Sequence, residues 1–186
     1  MNYILFDDFT RDRLLPFTHT RPVADIRCGI LTMRGRWETL LGKKTSTLTE
    51  NYLQELYPAI MVEENMFING GILGNETLLE KIQELPAETL LVQGEIIIAA
   101  RTIKQPLSVT ELLTEFKGLQ TTEYQKEIIK LEHVWDIFTL NDKAIRYDYE
   151  LITKNRISAE IPEGVTVTGK ENLFIEQGAN IYAGCI

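Results

Sequence analysis

The sequence predicts an α/β sandwich on a mostly parallel sheet, followed by a short tail of different texture. Three observations lead there. Short apolar runs of β type alternate with segments of helical period, the pattern of layered α/β folds. Arginines crowd the loop after the first such run. From residue 157 the helical period disappears, and Ile175 and Ile181, like Gly178 and Gly184, recur six apart.

Each element has its own signal. Residues 3–6 form a buried strand, stopped by Asp7 and Asp8. Residues 9–23 form a loop, in which Pro16 and Pro22 block regular ladders. Ile26, Ile30, Leu31, Met33, Trp37, Leu40 and Leu41 fall near helical spacing, and Gly42 caps that helix. Residues 45–49 alternate weakly as a second strand, and 51–57 read as a short helix ended by Pro58. Strands come next at 59–62 and 66–69, with Gly70-Gly71 as a turn. Residues 76–85 repeat leucine and isoleucine as a helix, with Pro86 past its end. Residues 90–92 and 96–100 pair as a hairpin through Gln93-Gly94-Glu95. A helix at 109–116, a strand at 128–131 and a last helix at 135–152 complete the pattern.

Composition narrows the function. The 186 residues carry a net charge of −8, which argues against a nucleic-acid partner. No apolar run approaches the ~20 residues of a membrane span, and the N-terminus reads as no signal peptide, so the expected location is cytoplasmic. Cys28 and Cys185 suggest core residues, not a disulfide framework or a zinc site. The charge is uneven: Arg11, Arg13, Arg21, Arg27, Arg34 and Arg36 are six of the nine arginines. That asymmetry points to a small anionic ligand held at one place.

In a parallel α/β sheet, ligands sit outside the carboxyl ends of the strands, where this arginine loop falls. Guanidinium donates two parallel hydrogen bonds to phosphate. Arg13, Arg21 and Arg27 are the arginines expected closest to it, with Arg11 nearby. Thr10, Thr18 and Thr20 add hydroxyl donors. The competing reading has these arginines paired with Asp7, Asp8, Asp12 and Asp25, holding the loop in shape. Asp7 and Asp8 either bind a divalent metal or divide between capping the loop and pairing with an arginine. His19 either touches phosphate or is structural. Arg34 and Arg36 read as solvated or structural. No nucleophile–base pair appears, which suits phosphoryl or nucleotidyl transfer, where catalysis is positioning and charge neutralisation.

The stretch "RLLPFTHTRPVADIRCG", Arg13 to Gly29, resembles the signature of sugar-1-phosphate nucleotidyltransferases. "RPVADIRCGILTMRGRWE", "WDIFTLNDKAIRYDYELIT" and the tail resemble a divergent branch of that family. This branch is related to the bifunctional N-acetylglucosamine-1-phosphate uridylyltransferase/glucosamine-1-phosphate acetyltransferase. The resemblance covers nearly the whole chain. It implies a Rossmann-like nucleotide-diphospho-sugar transferase domain over 1–155 and the start of a hexapeptide left-handed β-helix over 156–186. Homo-oligomers through the β-helix are implied with it, as are nucleoside triphosphate and sugar 1-phosphate as partners and Mg²⁺ as cofactor.

By the same resemblance Arg13 neutralises the nucleotide phosphates, and Arg21 with Pro22 matches the family's Arg-Pro or Lys-Pro step. Asn69 and Gly70 match the Asn-Gly-Asp segment that ends a core strand, with Gly71 in the place of the metal-binding aspartate. Asn141, beside Asp142, matches the second metal ligand, and it reads equally as a helix cap. Asp7 and Asp8 are the remaining candidate metal ligands. Val23 stands where a lysine commonly contacts substrate, and residues 7–12 replace the glycine-rich loop.

Two candidate functions result. One is a Mg²⁺-dependent sugar nucleotidyltransferase. The other is a degenerate domain that binds a sugar nucleotide, or nothing, and serves an acyltransferase β-helix. About three coils are needed for a stable β-helix, so the tail is expected to continue in a longer protein or to be covered by another chain.

Overall fold

The computed structural model describes residues 1–182 and 184, so the expectation for Cys185 lies outside the described residues. The chain divides into two compact units, Met1–Asp148 and Tyr149–Ile186.

The first unit is a sheet covered on both faces. Its strands are β1 (Asn2–Phe6), β2 (Ser46–Leu48), β3 (Asn65–Asn69), β4 (Thr89–Gln93), β5 (Ile96–Thr102) and β6 (Gln120–Glu123). They lie in the order β2-β1-β3-β5-β4-β6. The β1–β2, β1–β3 and β4–β6 pairs are parallel, while β5 runs antiparallel to both β3 and β4. The expected α/β architecture is therefore present, with one reversed strand at its centre.

Strand alternation splits the core. Tyr3 and Leu5 face Met66, Ile68, Trp37, Leu78 and Ile82, packing the sheet against α1 (Met33–Leu41) and α2 (Glu76–Gln83). Ile4 and Phe6 face Phe67, Ala100, Leu112 and Phe116, packing the other side against α3 (Val109–Phe116). These strands are buried on both faces, so they read as continuous apolar runs. The three helices start on Thr32, Asn75 and Ser108, whose side chains each accept a hydrogen bond from a backbone N–H of the first turn.

Several expectations change. The helix expected from Ile26 begins only at Met33, because the chain first makes a one-turn 3-10 segment at Val23–Asp25 and a bridge from Arg27 to Thr32. Residues 51–57 hold only a 3-10 turn at Asn51–Leu53, and no strand forms at 59–62. Lys130 in the expected 128–131 strand makes a single bridge to Ile72, and the edge strand is β6 instead. Gly70-Gly71 forms the expected turn, closed by Ile72 N–H donating to Asn69 C=O at 3.2 Å, and it leads from β3 toward α2. The last helix is two: α4 (Asp136–Thr139) and α5 (Asn141–Thr153).

A smaller cluster lies apart from the two sheet faces. Leu14, Val23, Ile26 and Cys28 from the arginine segment pack with Met33, Leu73, Leu131 and Ala144. Apolar burial thus fixes the loop that carries the exposed arginines.

In the second unit, the described residues beyond α5 form no β-strand. They are tied together across the tail: Ala159 N–H donates to Ile175 C=O at 2.8 Å, Ile175 N–H donates to Ser158 Oγ at 2.9 Å, and Arg156 pairs with Glu176 and lies over the Phe174 ring. Ile161, Val165, Val167, Leu173, Ile175 and Ile181 line an open trough of about 340 Å³.

Candidate functional site

The carboxyl ends of β1, β2 and β3 lie side by side, because Phe6 pairs with both Leu48 and Asn69 in parallel register. The segments leaving these three strands therefore meet at one edge of the sheet. After β1 come Asp7, Asp8 and the arginine loop; after β2 comes Thr49; after β3 come Gly70 and Gly71. Gly70 N–H donates to Phe6 C=O at 2.9 Å. A Cβ on Gly71 would lie 3.3 Å from Asn69 Oδ1 and 3.5 Å from Leu131 O. A side chain at 71 would therefore need Asn69 Oδ1 to give by a few tenths of an ångström, while Leu131 O would stay in ordinary contact.

Asp7 is buried and accepts from Val23 N–H at 2.9 Å and Thr49 Oγ at 2.6 Å. Arg11 Nε lies 3.3 Å from its second oxygen. Burial pushes the Asp7 carboxyl up to about 6, against the pull of these hydrogen bonds and of Arg11.

Asp8 has a different set of partners. Its Oδ1 accepts from the backbone N–H and the hydroxyl of Thr10. Its Oδ2 accepts from Asn69 Nδ2 at 2.8 Å and from Lys130 Nζ at 2.7 Å. Burial alone would raise the Asp8 carboxyl, but the Lys130 charge and these hydrogen bonds outweigh it and hold it below the usual range. Asn69 Nδ2 also donates to Ile97 C=O at 2.9 Å, and its Oδ1 accepts from Gly71 N–H at 3.0 Å.

The arginines divide into two groups. Arg11 is buried; it donates to Thr18 C=O and to Tyr52 Oη, and Thr18 Oγ donates back to Arg11 C=O at 3.0 Å. Arg34 forks onto Asp25 at 2.7 and 3.2 Å. Arg36 is fully buried against Asp148. Arg13, Arg21 and Arg27, by contrast, are exposed, and none has an ion pair among the described residues. Arg27 donates only to Ile30 C=O. The loop's acids are claimed by Arg11, Arg34 and Lys130, not by these three.

Of the sequence-derived candidates, the fold therefore brings Asp8, Thr10 and Asn69 together in one cluster, and Asp7, Arg11 and Thr18 in the one beside it. Thr10, Arg11, Thr18 and Gly70 use the donors described above within the protein. Arg13 and Arg21 keep theirs for solvent or ligand, while Arg27 gives one to Ile30 C=O. Asn141 is engaged elsewhere: its Oδ1 accepts from Gly29 N–H at 2.9 Å. His19 is exposed. Sequence reasoning missed Lys130. Its signal was a charged residue inside the apolar run Ile128-Ile129-Lys130-Leu131, which calls for a buried counter-charge.

The implied Mg²⁺ ion can be tested against these oxygens. Mg²⁺ demands near-octahedral oxygen ligands. Both Asp8 oxygens accept protein hydrogen bonds, one of them from a lysine ammonium. Asp7 is closed in by two donors and the Arg11 guanidinium, Asn141 Oδ1 is committed to Gly29, and position 71 is glycine. Among the described residues no group of three or more His, Cys, Asp or Glu side chains is placed to hold a metal. These residues do not fit a resident Mg²⁺ ion.

Parallel strands whose carboxyl ends meet beneath one loop define an α/β class of fold in which ligands commonly sit at those ends. The sugar nucleotidyl transferase family model matches residues 3–157, and the chain belongs to that family. No curated protein matches it in sequence. Among solved structures it is similar to a proposed glucose-1-phosphate thymidylyltransferase from Bacillus anthracis, crystallised with sucrose. The identity is 12% and the TM-score 0.43, over 78% of this chain and 95% of that one. No helix among the described residues is long and apolar enough to cross a membrane.

Proposed function

We propose that the chain is a sugar-1-phosphate nucleotidyltransferase of the branch related to the bifunctional uridylyltransferase/acetyltransferase. A phosphate oxygen of the sugar 1-phosphate attacks the α-phosphorus of a nucleoside triphosphate. A P–O bond forms, the bond to the β-phosphate bridging oxygen breaks, and pyrophosphate leaves. The carrying observation is that Arg13, Arg21 and Arg27 stand exposed and without ion pairs among the described residues, while neighbouring carboxylates are satisfied by other cations. In this reading they hold the triphosphate and the charge that develops on pyrophosphate, worth about 1.5–3 kcal/mol per well-placed hydrogen bond to a charged group. The network of side chains around Asp7 and Asp8 then acts as a rigid floor beneath the loop.

The tail is read as the first coil of a left-handed β-helix and as the route to a homo-oligomer. The Ala159–Ile175 link and the apolar trough support this: 16 residues separate the linked positions, close to three six-residue sides.

One observation favours the second reading, a degenerate sugar-nucleotide-binding domain: Asp7 and Asp8 are both buried and hydrogen-bonded by the protein itself. Pyrophosphate release, assayed across nucleoside triphosphates and several sugar 1-phosphates, separates the two. Turnover with any pair supports the transferase; nucleotide-sugar binding without turnover supports the degenerate domain.

A further inference from the structure

Nucleotidyl transfer places new negative charge on the leaving pyrophosphate, so the site needs a cation close to the α- and β-phosphates. The side chains around Asp7 and Asp8 do not fit a resident divalent ion, yet a cation is already there. Lys130 Nζ lies 2.7 Å from Asp8 Oδ2, the same oxygen that accepts from Asn69 Nδ2 at 2.8 Å. Lys130 and Asp8 are both nine-tenths buried or more, with side chains 4% and 5% exposed. The lysine comes from the segment bridged to Ile72, three residues past the end of β3, and so projects to the edge where β1 and β3 end.

An ammonium has three N–H donors. Among the described residues Asp8 is the hydrogen-bond acceptor it meets, which leaves two. Its outer neighbour is the ring of Phe9, 5.7 Å from Nζ and 62% exposed. Phe9 sits directly after Asp8 in the loop that carries Arg13. The ammonium is therefore one aromatic ring away from solvent, on the loop side.

We propose that the Lys130 ammonium takes the place of a divalent cation at this edge: it neutralises Asp8 and offers its two remaining donors to a phosphate oxygen of the nucleotide, so the chain holds nucleoside triphosphate without metal ligands of its own. The proposal deepens the nucleotidyltransferase reading and rests on it for the identity of the phosphate.

The test has two arms on the full chain. In the first, Mn²⁺ alone is titrated, tracked by its electron paramagnetic resonance signal, with no nucleotide present. The wild type should take up no Mn²⁺ at about 1 mM, while Lys130→Met should gain a site at least about tenfold tighter, which Lys130→Met combined with Asp8→Asn loses again. In the second arm, UTP and dTTP are titrated by calorimetry with Mg²⁺ or with EDTA. Wild-type affinity should change less than about threefold between the two conditions. Lys130→Met should lose at least about tenfold in EDTA, and Lys130→Arg should restore most of it.

Mn²⁺ uptake by the wild type that Asp8→Asn abolishes would overturn the proposal. So would a folded Lys130→Met that neither gains Mn²⁺ nor loses nucleotide. If Lys130→Met does not fold, the wild type and Asp8→Asn decide the question by Mn²⁺ uptake. A wild type that binds neither nucleotide sinks the transferase reading instead, and the Mn²⁺ arm still decides for or against the lysine.

Discussion

Arg36 and Asp148 form a fully buried ion pair across 112 residues of sequence, with Nε and Nη2 at 2.7 and 2.9 Å from the two carboxylate oxygens. Asp148 Oδ2 also accepts from the N–H groups of Ile30 and Leu31, and Arg36 Nη2 donates to Cys28 C=O. The pair therefore ties the segment just past Arg27 to α5. Gly29 belongs to the same knot: its φ is +95°, and a Cβ there would lie 2.4 Å from Asp148 Oδ2.

Breaking one partner of such a pair leaves the other buried and uncompensated. Asp148→Asn should cost about 3–5 kcal/mol in urea unfolding. Gly29→Ala should also destabilise, through its left-handed backbone and the crowding against Asp148. A loss under about 1 kcal/mol for Asp148→Asn would mean that the knot does not stabilise the fold.

Asp7 gives the pH dependence a sign. Its folded value of about 6 lies above the ordinary 3.8, so between those values the folded state binds more protons than the unfolded state. Stability from this group is fully present below pH 3.8 and is lost as pH rises through about 6. Asp7→Asn should remove that loss, making the variant more stable relative to wild type at pH 7 than at pH 4, by up to a few kcal/mol. Asp8 acts the other way: its lowered value contributes stability that is lost as pH falls through the folded value. Unfolding curves from pH 3 to 8 on wild type and Asp7→Asn check the sign; parallel curves would contradict it.

The tail should show its backbone link in hydrogen exchange. The amides of Ala159 and Ile175 are bonded across the unit, so they should exchange more slowly than those around them. Ser158→Ala removes the acceptor for Ile175 N–H. Its exchange should quicken by about fivefold, the equivalent of one hydrogen bond of roughly 1 kcal/mol. Equal rates in both proteins would leave the coil reading without its support.

Much of the first unit was legible in the sequence because local signals and burial agreed there. The runs ending at Phe6 and Asn69 are apolar on both faces, as central strands must be, and the leucine and isoleucine repeat before Pro86 announces α2. The misses are long-range. Gln120–Glu123 is polar, and it becomes a strand only because β4 offers it a parallel edge. Arg36 sits in a helical pattern that suits a solvated arginine; nothing local shows that Asp148 will arrive beside it. The loop arginines could be picked out from sequence but not sorted. Their sorting depends on which cation the fold sets beside each carboxylate, and Lys130 lies 122 residues from Asp8 in sequence.

The central claim is that the arginines left without carboxylate partners are those that meet phosphate. Calorimetric titration of nucleoside triphosphate into wild type, Arg13→Ala, Arg21→Ala and Arg146→Ala tests it most directly. Arg146 is the control: exposed, but paired with Asp142 at 3.1 Å. Arg13→Ala and Arg21→Ala should each weaken binding by about 10- to 100-fold, with thermal stability within about 0.5 kcal/mol of wild type. Arg146→Ala should bind as wild type does; equal affinities across all four proteins would contradict the claim.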